Sequence, residues 1–166
     1  YLSTLQRHSA NAGIPAAWAY GIIRQESRFV TLAKSSASAH GLMQIIPETA
    51  RVLARKQGLS NFQLSDLGNI DTNVQLGTAD LAQIRDQFGG PMPVASAGYN
   101  AGPGRPAQWK RSLTQNVDGA VFAETIPFAE TRGYVKNVMA NTIWYYLIMN
   151  QRPPKLKDLM GTVTPY

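Results

Sequence analysis

The sequence predicts an all-α fold, and three observations carry that expectation. Apolar residues recur at three- and four-residue steps through several segments. Proline and glycine punctuate those segments where helices would start and stop. No stretch alternates apolar and polar residues convincingly enough to read as a strand. The 166 residues suffice for one domain with a real core, so a single domain over residues 1–166 is expected.

Leu2 to Asn11 reads as a first helix, broken by Gly13. Pro15 suits the first turn of the next, where a missing N–H costs nothing, and Ala16 to Gln25 continues it. From Phe29 to His40 the pattern is lost; Lys34-Ser35-Ser36-Ala37-Ser38-Ala39 is small and polar and reads as loop. Gly41 to Ile46 is short and apolar. Pro47-Glu48-Thr49 starts a helix that ends near Gln57-Gly58. Asn61 to Asn69 is a connection with a turn of its own. Asp71 is the expected N-cap of a helix in which Val74, Gly77, Leu81, Ile84 and Phe88 share a face, with Gly77 admitting a neighbouring helix.

Gly89-Gly90-Pro91 stops that helix. Pro93 opens Val94 to Asn100, which Ala101-Gly102-Pro103-Gly104 ends. Short helices follow at Pro106 to Ser112 and Val117 to Ala123. Pro127 opens the longest helix, with Phe128, Val135, Val138, Met139, Thr142, Ile143 and Tyr146 in one stripe and Pro153-Pro154 as its stop. Lys155 to Tyr166 shows no pattern. Trp18 and Trp144 lie in helical patterns and are expected in the core, whereas Trp109 is a candidate sugar-stacking surface.

Composition excludes several classes of function. Cysteine is absent, which removes disulfides, thiolate metal sites and cysteine nucleophiles. His8 and His40 are far apart and no H-x-x-x-H spacing exists, so no metal and no cofactor are expected. No apolar run approaches the ~18 residues that span a bilayer. The net charge of +6 suits an acidic partner or a solvated basic surface, and only Arg51/Arg55/Lys56, Lys110/Arg111 and Lys155/Lys157 form small groups. No basic recognition helix and no aromatic-basic interleaving occurs, so nucleic acid is not an expected partner. The chain opens Tyr1-Leu2-Ser3 rather than with Met and a basic leader, which suggests a processed protein or an excised domain.

The chemistry gathers at Ile22-Ile23-Arg24-Gln25-Glu26-Ser27. Ala19, Ile22 and Ile23 precede Glu26 by seven, four and three residues, offsets that share one helix face. Glu26 therefore projects from an apolar face near a helix C-terminus. Lost hydration and the negative end of the helix dipole both favour its protonated form, as a general acid requires. Taken alone, Glu26 reads equally as a glutamate that reaches water or pairs with Arg24 or Arg28. Ser35 follows in the loop. Gln44 is an amide in an apolar run, which needs hydrogen-bond partners that a sugar can supply. Met43, in the same run, also reads as core.

Four motifs occur in order: Gln25-Glu26-Ser27; Gly41-Leu42-Met43-Gln44; Ala97-Gly98-Tyr99-Asn100 with Ala101-Gly102-Pro103-Gly104; and Glu124-Thr125-Ile126-Pro127-Phe128-Ala129-Glu130-Thr131-Arg132-Gly133-Tyr134-Val135. Together they resemble the catalytic domain of the lytic murein transglycosylases, most closely the soluble, periplasmic type, over roughly residues 15 to 150. The resemblance implies a goose-lysozyme-like α-helical domain with a substrate groove, the C-terminal piece of a larger protein with a helical domain. It also implies a periplasmic location. The implied substrate is peptidoglycan glycan strands, cut at the MurNAc-β-1,4-GlcNAc bond without water to give 1,6-anhydro products.

By the same resemblance Glu26 matches the single catalytic glutamate. Ser35 matches a loop serine near the substrate's N-acetyl group, and Met43 and Gln44 match groove-lining residues. Tyr99 and Asn100 match a motif whose tyrosine hydroxyl lies close to the glutamate, and Glu124 matches a glutamate that meets sugar or stem peptide. Departing from the pattern, His40 stands where a small residue is expected. Glu130 reads as a first-turn acid and Arg132 as a structural partner of an acid. Two other readings remain open: a hydrolytic muramidase on the same fold, and a silent murein-binding module.

Overall fold

The computed structural model describes residues 2–166; Tyr1, on which the processed-start expectation rests, lies outside the described residues. The fold is all-α, as expected, and the chain divides into two units, residues 1–82 and 83–166.

In the first unit α1 (Leu2–Ala12) packs on α2 (Ala16–Glu26). Pro15 is the N-cap of α2 rather than a residue of its first turn. Ala17 through Ile23 are buried, and Trp18, Ala19 and Ile22 are at 0 % exposure. This all-round burial is what an uncharged run of that length allows. α3 (Pro47–Lys56) and a short 3-10 helix (Leu64–Gly68) follow and contact each other. The 3-10 helix is the turn expected between Asn61 and Asn69. α4 (Ile70–Gln87) starts one turn earlier than its expected cap allows. The cap is Asn69, whose Oδ1 accepts the N–H of Thr72 at 3.1 Å, and Asp71 lies inside the first turn. Asp71 instead takes the side chains of Arg7 and His8, the latter through Nε2 at 2.9 Å.

The loop between α2 and α3 is not free coil. Lys34 bridges His40 and His40 bridges Ile45, both antiparallel. The backbone of Ser35 exchanges hydrogen bonds with Ala39 and Ser38 at 3.0 Å. Isolated bridges of this kind leave no alternation in sequence, which is why the segment reads as plain loop.

In the second unit α5 (Met92–Ala101) is the central helix, contacting α6 (Gly104–Arg111), α7 (Gly119–Glu124), α8 (Ala129–Ile148) and α9 (Leu156–Met160). Pro93 to Gly98 are buried, and Val94, Ala95, Ser96 and Ala97 reach 0 % exposure. Small residues let the neighbours approach this closely. The tail has structure the sequence does not announce. After α9, β2 (Thr162–Val163) pairs antiparallel with β1 (Val117–Asp118) in the register Val117↔Val163 and Asp118↔Thr162. The expected helix from Val117 is thus a strand followed by α7.

Two expectations about the surface of the second unit fail. On α8, Val135, Val138, Met139 and Thr142 are buried as the stripe requires, but Phe128 is 40 % and Trp144 63 % exposed. The buried stripe ends at Thr142, so Trp144, Leu147 and Ile148 stand outside the core. Lys110, grouped with Arg111 as a solvated charge, is only 5 % exposed. Its ammonium sits over the Phe88 ring at 5.7 Å and the Tyr166 ring at 5.1 Å, and burial pushes its pKa down.

Candidate active site

Glu26 is the last residue of α2 and is half-buried. The face behind it is apolar as expected: Ala19, Ile22 and Ile23 are at most 1 % exposed. Ser27, buried, closes the helix by donating its N–H to the Ile23 carbonyl at 3.0 Å. Arg28 and Phe29 then adopt φ of 52° and 67°. Two successive non-glycine residues in the left-handed region are costly and hold only where the surroundings fix them. The Tyr20 ring, 5.9 Å from that of Phe29, is part of what fixes them. The chain therefore leaves Glu26 along one defined path.

That path leads to Ser35 and Gln44, which the structure brings into one hydrogen-bonded loop. Ser35 Oγ accepts the N–H of Ala39 at 3.1 Å and keeps its own hydrogen for another acceptor. Gln44 has φ of 50°. Its Nε2 donates to the carbonyls of Ala33 at 3.0 Å and Gly41 at 2.9 Å. This corrects the expectation that a sugar satisfies the whole amide: both amide hydrogens brace the loop, and Oε1 is the atom left for a ligand.

Met43 is a second correction. Its side chain is at 0 % exposure and occupies the space that Gly77 leaves on α4, where any Cβ would collide with it. Gly77 thus admits a side chain of the loop rather than a second helix, and Met43 supports the site as core instead of lining it.

The residue that sequence reasoning missed is Asn73. It is 1 % exposed. Its Oδ1 accepts the N–H of Met43 at 2.9 Å, and its Nδ2 donates to the carbonyls of His40 at 2.9 Å and Leu67 at 3.0 Å. One amide so joins α4, the 3-10 helix and the Gln44 loop. Gly41, with φ of 79°, lies against this amide, where a Cβ would clash with it. A signal was available: Asn73 shares a helix face with Leu76, Gly77 and Asp80. An uncharged polar residue on a buried face needs internal partners.

Asp80, on that same face, is a largely buried carboxyl. Burial raises its pKa to about 6, with the charge of Lys56 acting in the opposite direction. The other acids of this unit are occupied elsewhere. Asp66 Oδ2 accepts the N–H of Gln63 at 2.8 Å, Asp71 holds Arg7 and His8, and Glu48 is exposed in the first turn of α3.

The remaining candidates belong to the second unit. Tyr99 and Asn100 are half-buried on the last turn of α5. Asn100 Oδ1 accepts the hydroxyl of Thr131 at 2.9 Å, which ties α5 to α8. Part of Asn100 is therefore structural, and Nδ2 is its remaining polar atom. Glu124 ends α7, is exposed, and pairs with Lys136 at 2.7 Å. Arg132 does not take an acid: its Nη1 donates to the carbonyl of Ile126 at 2.8 Å. Trp109 meets Phe128 edge-on at 5.4 Å, and the Arg105 guanidinium lies 5.1 Å from the Phe128 ring centre, so this aromatic surface is partly open. Among the described residues no cluster suited to a metal ion occurs, and no helix is long and apolar enough to cross a membrane.

Comparison with known proteins agrees with the motifs. Residues 3–120 match the family model described as Transglycosylase SLT domain, and residues 125–154 match that described as Soluble lytic transglycosylase helical domain. The chain is 38% identical over 154 residues to the soluble lytic murein transglycosylase of Escherichia coli K12, covering 92% of this chain and 24% of that protein. It is 34% identical over 113 residues to membrane-bound lytic murein transglycosylase C of Actinobacillus pleuropneumoniae, covering 63% and 31%. An inactive mutant of the lytic transglycosylase Slt from Pseudomonas aeruginosa superposes with a TM-score of 0.88 at 41% identity, covering 93% of this chain and 25% of that one. The 70-kDa soluble lytic transglycosylase of Escherichia coli gives 0.88 at 37% identity, covering 97% and 26%. The chain thus spans about a quarter of the length of the soluble relatives. On the strength of the match over residues 3–120 and of these relatives, the chain belongs to the Transglycosylase SLT domain family.

Proposed function

We propose that this chain is the catalytic part of a periplasmic lytic murein transglycosylase and that Glu26 is its one acid–base group. The observation that carries the reading is the setting of Glu26. It is a half-buried carboxyl ending a helix whose adjoining face is apolar, followed by a fixed left-handed exit into the Ser35–Gln44 loop. The printed names of the relatives, soluble lytic murein transglycosylases, support the reaction class. The match of residues 125–154 to a helical-domain model supports a larger parent protein with a helical domain.

A glycosidase with two carboxylates needs the second either to activate water or to attack the sugar. In the first unit the other acids hold backbone, basic side chains or a position on another helix. One carboxyl then does both proton transfers. Glu26 gives its proton to the glycosidic oxygen as the bond to muramyl C1 breaks, and the 2-acetamido oxygen steadies the cationic carbon. The carboxylate so formed removes the proton of the muramyl C6 hydroxyl, whose oxygen closes onto C1. Atoms balance without water, and Glu26 ends protonated for the next turn. Ser35, through its hydroxyl hydrogen, and Gln44, through Oε1, orient the acetamido side of the sugar. Tyr99, Asn100 and Glu124 contribute from the second unit. Incubating the chain with purified murein tests the reading: soluble muropeptides ending in 1,6-anhydro-MurNAc are the expected product. No release of soluble material, with binding retained, would leave a murein-binding module.

A further inference from the structure

The bridged loop presents a second surface. The antiparallel pairing of Lys34 with His40 places both side chains on one face of the ladder, while their neighbours Ser35 and Ala39 turn to the other. The Lys34–His40 face borders a cavity of about 490 Å³, whose walls include Leu32, Lys34, Ser38, His40, Leu64 and Ser65. That volume lies in the range of ~300–1,000 Å³ usual for small-molecule sites.

The cavity is rich in donors and poor in acceptor-only groups. It carries one ammonium, one imidazole and three hydroxyls, those of Thr31, Ser38 and Ser65, and no acidic side chain lines it. Lys34 forms no ion pair among the described residues. The His40 ring has a definite polarity: Nδ1 is buried with no hydrogen-bond partner. A hydrogen on Nδ1 would be an orphan donor, which is costlier than an unused lone pair. The neutral ring therefore carries its hydrogen on Nε2, the nitrogen left for the cavity. Leu32, Leu64 and Pro47 supply an apolar wall beside these donors. Ammonium, ring N–H and hydroxyls around one void suit a ligand with several lone pairs and a negative charge. The apolar wall suits a small aliphatic side chain next to that charge.

We propose that this cavity binds the free carboxylate of a short peptide, with Lys34 and His40 Nε2 on the carboxylate and Leu32 and Leu64 against the adjoining side chain. Glycan-borne stem peptides and peptides released from them share that chemistry. The assignment to murein peptides rests on the proposed function; the carboxylate site itself does not.

The test uses the full chain and N-acetyl-D-alanyl-D-alanine, with its C-terminal amide as the uncharged control. The ring resonances of His40 are followed by NMR, and those of His8 serve as the internal reference. The expected result is a saturable shift of His40 alone with the acid, at least about tenfold weaker with the amide. Lys34→Met should weaken the acid about tenfold and Ser65→Ala several-fold. An unmoved His40 ring at millimolar acid, equal response to acid and amide, or undiminished affinity in Lys34→Met overturns the proposal. A second arm compares kcat/KM on peptide-bearing and peptide-free glycan strands. A fall confined to the peptide-bearing strands in Lys34→Met identifies the stem as the source, and equal rates with dipeptide binding intact identify the released peptide. If wild-type chain cuts neither strand, the proposed function fails while the NMR arm still decides the carboxylate site.

Discussion

The side-chain oxygen of Asn73 accepts the backbone N–H of Met43 at 2.9 Å, and through that bond a helix holds the loop that carries Gln44. The same amide takes the carbonyls of His40 and Leu67. Asn73→Ala leaves a buried N–H and two buried carbonyls without partners, and orphaned buried groups cost about 1–3 kcal/mol each before water enters. The expected outcome is a melting temperature lower by roughly 5–10 °C, with turnover on murein falling further than the melting point alone explains. Asn73→Asp should do no better, because a carboxylate cannot donate to the two carbonyls. Calorimetry and rate assays on both variants check this; an unchanged melting point in either would mean the amide does not hold the loop.

Glu26→Gln keeps the shape of the side chain and removes its proton chemistry. The fold and murein binding should persist while turnover drops by at least ~100-fold, the usual loss when a general acid–base group is removed. Near-normal turnover in a folded variant would return Glu26 to the role of an ordinary helix-terminal residue.

Tyr99→Phe removes one hydroxyl from the last turn of α5. A hydroxyl that positions substrate in the transition state is worth about 10- to 100-fold in rate. The expected pattern is that loss in kcat with a melting temperature within a degree or two of wild type. A large fall in melting temperature with a proportional loss of activity would make Tyr99 a core residue.

Asp80 gives the stability a pH dependence of known sign. Its folded pKa, about 6, lies above its ordinary 3.8. The native state therefore binds this proton more tightly than the unfolded chain, and the cost of holding the charged form is absent below 3.8, grows between 3.8 and 6, and is complete above 6. Asp80→Asn should stabilise the protein at pH 7 by on the order of 1–3 kcal/mol and make little difference at pH 4. Urea unfolding at the two pH values measures both; an equal effect at both would remove the titration from the explanation.

The helices were legible because their signals are local. Apolar spacing and Pro–Gly punctuation place α1 to α6 and α8 within a few residues of where they stand. What escaped the sequence depends on partners distant along the chain. β1 and β2 are two residues each and pair across more than forty positions, so neither shows alternation. Trp144 looks like core because its own helix is apolar, but the elements packed on α8 stop covering it after Thr142. Glu26 was legible at the site because its apolar face and the loop after it are adjacent in sequence. Met43 and Gln44 sit in one apolar run, and no local rule separates the buried thioether from the half-buried amide. Their difference comes from Gly77 on one side and the Ala33 and Gly41 carbonyls on the other.

The central claim is that one carboxyl carries the reaction and water does not take part. The muramyl C6 hydroxyl is delivered within the same ring, at an effective molarity of up to ~10⁵–10⁸ M against about 55 M for bulk water. Digestion of murein by this chain in ¹⁸O-water, with mass analysis of the released muropeptides, measures that competition directly. The account predicts muramyl ends that lack one water relative to hydrolysis products, carry no heavy oxygen and have no reducing group. Heavy oxygen at muramyl C1, with reducing ends appearing in step with cleavage, would contradict it and identify a hydrolase.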